Sequence, residues 1–140
     1  MNSPSVVVLL VSALIVGVGI LVIIFLTRRS GKAFLDKSKY QSDWLGIEQS
    51  VIADEPASAQ LAVIKADKLV DRALKERGYT GETMGERMKS ANDTFSDKDS
   101  LWRAHKLRNK LVHEDVEISV KLVQRVLPCY KRALKDLGAI

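Results

Sequence analysis

The sequence predicts an all-α protein, a compact bundle of four to five helices preceded by a single transmembrane helix. Three observations carry that expectation. Val6 to Leu26 is an unbroken apolar run without a charged residue. Beyond about Lys39, apolar side chains recur at three- and four-residue steps, and no stretch alternates convincingly at the period of a strand. Thr, Ser, Asp and Gly stand where helix starts and stops would fall.

Taken in order, the apolar run would be about 31 Å long as a helix, close to the hydrocarbon core of a bilayer. A cleaved signal peptide would open on a basic segment and end in small residues at a cleavage site. Met1-Asn2-Ser3-Pro4 has no charged side chain and the run ends in Phe25-Leu26-Thr27, so an uncleaved anchor is expected. Arg28, Arg29, Lys32, Lys37 and Lys39 follow the span and no Lys or Arg precedes it. The positive-inside rule then places the chain in the cytoplasmic (inner) membrane as a single-pass protein, N-terminus outside and C-terminal domain in the cytoplasm. A lone Cys129 permits no intramolecular disulfide, which fits a reducing compartment. The expected organisation is a short extracytoplasmic N-terminus (1–5), a transmembrane helix (6–26), a basic juxtamembrane linker (27–39) and a cytoplasmic helical domain (40–140). The formal charge of +5 belongs wholly to the part after residue 27 and favours anionic lipid headgroups near the membrane.

Within that domain a first short helix is expected to contain Trp44, Ile47 and Val51. A second, from about Ala57 to Arg77, carries the stripe Ala62, Val63, Ala66, Leu69, Val70, Ala73 and Leu74, with Pro56 at its start and Gly78 as its C-cap. Thr83-Met84-Gly85-Glu86 fits a capping box for a short helix through Ser90, and Ser96-Asp97-Lys98-Asp99 fits another opening the next helix. The last helix is expected from near Asp115, with Ile118, Leu122, Val123, Val126, Leu127, Tyr130, Ala133, Leu134 and Leu137 apolar and a kink at Pro128.

The helix before it is the most informative. At 100° per residue, Leu101, Ala104, Leu107, Leu111 and Val112 share one arc, which is the expected core side, and Arg108 falls inside it. A guanidinium there needs either a carboxylate from a facing helix, with Glu48, Asp67 and Asp71 as candidates, or a cleft in which its planar fork binds phosphate. His113 lies about 140° from Arg108 on an ideal helix, but on the same face as Asn109. Arg108 and His113 can share a site only if the helix ends or distorts near His113, which Glu114-Asp115 favours. Otherwise His113 is a cation at a helix C-terminus. His105, at the edge of the apolar arc, reads as a partly buried structural residue. Trp102 points to the polar side and needs a cover, from a second subunit or the first helix of the bundle, or else it offers a platform on which a base could stack.

On the exposed face stand Arg103, Lys106 and Lys110, and residues 98–113 hold five Lys or Arg against Asp99 alone. Such a helix suits a polyanion such as RNA, although a charge run also serves as a solvated face. Zinc-ligand spacing, a His-Glu-x-x-His pair, a P-loop, a dinucleotide fingerprint and a Gly-x-Ser-x-Gly elbow are all missing from the sequence, so no metal or nucleotide cofactor is expected.

Arg108-Asn109-Lys110-Leu111-Val112-His113, on the penultimate helix of a small all-α domain, resembles the Arg-x4-6-His signature of HEPN domains. The layout is similar to small bacterial proteins with one N-terminal transmembrane helix and a HEPN-like cytoplasmic domain. The segments that carry the likeness are Trp44 with Ile47-Glu48, Ala66-Asp67-Lys68-Leu69-Val70-Asp71, Gly78-Tyr79 with Met84-Gly85-Glu86-Arg87, Leu101-Trp102 through His113-Glu114, and Leu134 to Gly138. The resemblance implies one of two functions, since the family includes metal-independent ribonucleases and non-catalytic binding modules. In the first, a homodimer brings two motifs into one cleft. Arg108 stabilises charge on the phosphate oxygens, Asn109 orients the phosphate or imidazole, His113 moves a proton, and Arg103, Lys106 and Lys110 hold RNA. In the second, a helical interaction module tethers a partner at the cytoplasmic membrane face, and Arg108 serves a buried carboxylate.

Overall fold

A computed structural model describes residues 4–29, 34–114, 116 and 118–140; of Ser5 and residues 25–29 it gives the backbone only. The expected linker charge Lys32 and the helix start at Asp115 lie outside the described residues, as do residues 1–3. The chain divides into two units, residues 1–32 and 33–140. The first is one helix, α1 (Pro4–Arg29). Its stretch Val6–Ile24 is long and apolar enough to cross a membrane. Valine, leucine and isoleucine side chains are exposed all round it, as suits a helix without a polar face.

The second unit is all-helical among its described residues: α2 (Lys37–Gln49), α3 (Pro56–Glu76), α4 (Met84–Ser90), a 3-10 turn (Asn92–Thr94), α5 (Lys98–His113) and α6 (Val120–Asp136). Helix α2 begins inside the stretch expected to be linker. Asp36 caps it by accepting from the Lys39 amide (3.1 Å), and Leu35 just before it is buried. Tyr40, Trp44 and Ile47 form its buried stripe, while Val51 lies beyond its end. The Tyr40 hydroxyl donates to Glu76 (2.9 Å) beneath the Arg72 guanidinium. Burial pushes this phenol up to about 12, with Arg72 opposing and Glu76 adding to the rise.

Helix α3 is the central element and touches α2, α4, α5 and α6. Its buried stripe is rich in alanine (Ala59, Ala62, Ala66, Ala73), and such small side chains let neighbouring helices approach closely. Pro56 occupies its first turn, where its missing N–H has no role. Both α3 and α6 end in the same way. Gly78 (φ 80°) donates to Lys75 and Tyr79 to Leu74; Gly138 (φ 68°) donates to Lys135 and Ala139 to Leu134. Each pair satisfies carbonyls that the last helical turn leaves open.

The helix starts show where local chemistry was readable. Thr83 caps α4 by accepting from the Glu86 amide (3.2 Å), while Glu86 reaches back to the Glu82 amide (2.7 Å), one residue earlier than a regular capping box. Asp97, rather than Ser96, caps α5 through the Ser100 amide (3.1 Å), because Ser96 is engaged by Asp136 of α6. Helix α6 starts at Val120 with Ser119 as its cap, later than expected, and runs on through Pro128.

Two glycines separate conformational from steric cost. A Cβ on Gly138 would meet only the far end of the Arg77 side chain, whose Nε holds the Leu137 carbonyl (2.7 Å), whereas one on Gly81 (φ 152°) would come within 2.7 Å of the Arg87 backbone nitrogen. Gly138→Ala should cost about 1–2 kcal/mol, chiefly from the positive φ, since only the end of one side chain must shift. Gly81→Ala should cost more, because α4 must move. Denaturant titration of the detergent-solubilised full chain gives both values, and equal losses would contradict this account.

Candidate functional site

The site is built on a charge placed in the core. Asp67, on the middle of α3 between Ala66 and Val70, is only 1% exposed. A buried carboxylate is tolerated when its oxygens are occupied by donors and a countercharge. Three residues from two other helices do this. His105 Nδ1 stands 2.8 Å from Asp67 Oδ1, the Tyr130 hydroxyl donates to the same oxygen (3.2 Å), and Arg108 Nε lies 3.1 Å from Oδ2. The Arg108 contact is an ion pair by distance, but its N–H does not aim at the carboxylate and finds no other acceptor among the described residues. Burial, reinforced by Asp67, pushes the Tyr130 phenol well above its usual range, so it remains a donor.

Two further bonds close a ring. Arg108 Nη1 donates to Asn109 Oδ1 (2.9 Å), and Asn109 Nδ2 faces His105 Nε2 at 3.4 Å. The order is Asp67, His105, Asn109, Arg108 and back to Asp67. It depends on the one-turn spacing of His105 and Asn109 on α5 and on the register of α5 against α3.

This ring forms one wall of an open cleft of about 440 Å³, lined also by Lys68, Asp71, Arg87 and His113 and by the Glu82–Met84 segment before α4. Arg87 Nε and Nη2 grip Asp71 at 2.7 and 2.6 Å, and its Nη1 donates to the Gly81 carbonyl (2.6 Å). Burial alone would raise the Asp71 carboxyl, but Lys75 and Arg87 together outweigh it and hold it below the usual range.

Arg108, Asn109 and His113 therefore line one cleft, although an ideal helix turns Arg108 and His113 apart. Helix α5 ends at His113 and the backbone at Glu114 is extended. Arg108 combines the two roles that the sequence left as alternatives: it pairs with Asp67, yet 24% of its side chain is exposed. Glu48 instead pairs with Lys131. Arg103, Lys106 and Lys110 are exposed on α5 and are not among the cleft residues.

Three expectations for α5 are corrected. Val112, placed on the core arc, is 50% exposed, because it lies about 100° around the helix from Leu111, which is the residue of the last turn that the bundle buries. Trp102 is half-buried, with Gly85 of α4 against its ring and His105 in a T-shaped contact, so α4 rather than the first helix of the bundle supplies part of its cover. His105 is more deeply buried than expected, 8% exposed, and belongs to the ring at the cleft wall. The sequence signal that could have found it was the His-x3-Asn spacing facing a helix whose stripe contains an aspartate. Among the described residues, no group of three or more His, Cys, Asp or Glu is arranged to hold a metal ion.

Comparison with known proteins found no matching family model, curated protein or solved structure.

Removing the Asp67 carboxylate should be far more damaging than removing one of its donors. Asp67→Ala strands Arg108, His105 and Tyr130 and should cost about 3–5 kcal/mol, against about 1 kcal/mol for Tyr130→Phe; denaturant unfolding checks the ratio. The lowered Asp71 gives stability that is present above the ordinary carboxylate range and is lost as pH falls through its depressed value. Asp71→Asn should therefore flatten the acid limb of melting temperature against pH below about pH 4, and an unchanged limb would contradict the pairing.

Proposed function

We propose that this chain is a single-pass, membrane-anchored HEPN-like protein whose cytoplasmic bundle cleaves RNA without a metal ion. The observation that carries the reading is the convergence of Arg108, Asn109 and His113 on one open cleft. Phosphodiester cleavage by the neighbouring ribose hydroxyl needs proton transfer and stabilisation of charge on the phosphate oxygens. An imidazole at the rim and a guanidinium with free donors supply these chemistries. The exposed Arg103, Lys106 and Lys110 would attract the polyanion from a distance. The homodimer is the assembly that the HEPN likeness implies. The anchor reading rests on the apolar length of Val6–Ile24, and the cytoplasmic placement on the cluster of Lys and Arg that follows it.

A second reading is favoured by the Arg108–Asp67 ion pair: a non-catalytic module that tethers a partner at the membrane, with the ring serving only to hold helices in register. Incubating the detergent-solubilised full chain with mixed RNA in EDTA distinguishes the two. The cleavage reading expects product formation that falls roughly 10²-fold or more in His113→Ala and in Arg108→Lys, which keeps a cation for Asp67. The melting temperature of His113→Ala should stay at the parent value, since this side chain is exposed. Absence of cleavage by the parent chain would establish the tethering reading instead.

A further inference from the structure

We infer that a single chain carries both proton-transfer groups for a phosphodiester substrate, with His105 as the base and His113 as the acid. This rests on the RNA-cleavage reading and changes the source of the second imidazole, which then need not come from another copy. Asp67 is the reason. An ionised carboxylate can only accept hydrogen bonds, so its 2.8 Å contact with His105 Nδ1 puts the ring proton on Nδ1 and leaves the lone pair on Nε2. Tyr130 donates to the same Asp67 oxygen from α6, which holds that carboxylate in place. Trp102 meets the imidazole edge-on, with centroids 6.1 Å apart, and limits rotation of the ring.

The Nε2 lone pair is covered only by the Asn109 amide at 3.4 Å, a long contact for a hydrogen bond. Asn109 is half-buried and lines the cleft, as His105 does. A substrate hydroxyl that displaces this amide therefore meets an acceptor already oriented by Asp67. His113 lines the same cleft, is exposed, and has no hydrogen-bond partner among the described residues. The backbones of His105 and His113 stand about 12 Å apart along the axis of α5. One cleft thus holds a phosphate binder together with a base and an acid.

The step balances within these groups. His105 Nε2 takes the proton of the ribose 2′-hydroxyl as that oxygen forms a bond to the adjacent phosphorus. The bond from phosphorus to the 5′-oxygen breaks, its electron pair goes to that oxygen, and protonated His113 supplies the proton. The products are a 2′,3′-cyclic phosphate and a free 5′-hydroxyl, and solvent returns both imidazoles to their starting states.

A substrate whose leaving oxygen is replaced by sulfur separates the two roles, because a thiolate leaves without being protonated. The full chain in detergent is given an RNA oligonucleotide with one ordinary linkage at the scissile position, or the same oligonucleotide with one 5′-S-phosphorothiolate linkage. His113→Ala should lose roughly 10²- to 10⁴-fold on the ordinary linkage and return to within about tenfold of the parent on the sulfur linkage. His105→Asn retains a donor for Asp67 but lacks Nε2, and it should be impaired on both. His105→Asn cleaving at the parent rate, or being rescued by sulfur, would overturn the assignment while leaving RNA cleavage standing. No cleavage of either substrate by the parent chain would overturn the cleavage reading and this inference with it. Nitrogen-15 NMR of the imidazoles in the unsubstituted chain is independent of any variant's folding: the neutral His105 ring must carry its proton on Nδ1, and a proton on Nε2 would be decisive against the assignment.

Discussion

A carboxylate sits in the middle of the helix that every other helix of the bundle touches. Desolvating it costs several kcal/mol unless donors surround it, and here they come from two helices far apart in the chain, His105 and Arg108 from α5 and Tyr130 from α6. The alanine-rich stripe of α3 supplies close packing but little register, since small side chains present nearly the same surface one turn away. A charge with three designated partners does not tolerate such a slip. Apolar burial holds the bundle together, and Asp67 determines how α3, α5 and α6 are aligned.

The same bonds shape the cleft. Asp67 and Asp71, one turn apart on α3, each take an arginine from a different neighbouring helix, Arg108 from α5 and Arg87 from α4. These pairs neutralise most of the charge around the cleft and leave Lys68 and Glu82 as its unpaired ions among the described residues. An anion in this cleft would meet directed donors, chiefly the part of the Arg108 fork not turned to Asp67, more than a basin of positive potential. The exposed cations Arg103, Lys106 and Lys110 of α5 stand outside the cleft.

What could be read from the sequence follows the range of the forces involved. The stripes of α3 and α6, Trp44 and Ile47 of α2, the Gly78 terminus and the Thr83 cap depend on residues within one or two turns, and these were legible. Asp97 displaced Ser96 as the cap of α5 because Asp136, 40 positions along the chain, engages Ser96. Arg108 was legible as an anomaly, and Asp67 as one of three candidate partners; choosing among them required knowing that Glu48 goes to Lys131 and Asp71 to Arg87. His105 shows the limit most clearly. A helical projection treats each helix alone, and a histidine at the edge of its arc looks structural until a facing carboxylate fixes which nitrogen it presents to the cleft.

The ring also bears on whether the cleft is an active site or a by-product of packing. A network whose only role is register gains from being closed, because exposure to water weakens its ion pair and each open edge admits competing hydrogen bonds. This ring is closed on the Asp67 side and open on the other. Arg108 and Asn109 retain exposed surface, and the Asn109–His105 contact is long. Both weaken the ring as a structural device, and both occur on residues of the cleft wall. Proton transfer and phosphate binding need this combination: side chains held rigidly from behind, with donors and a lone pair left free in front.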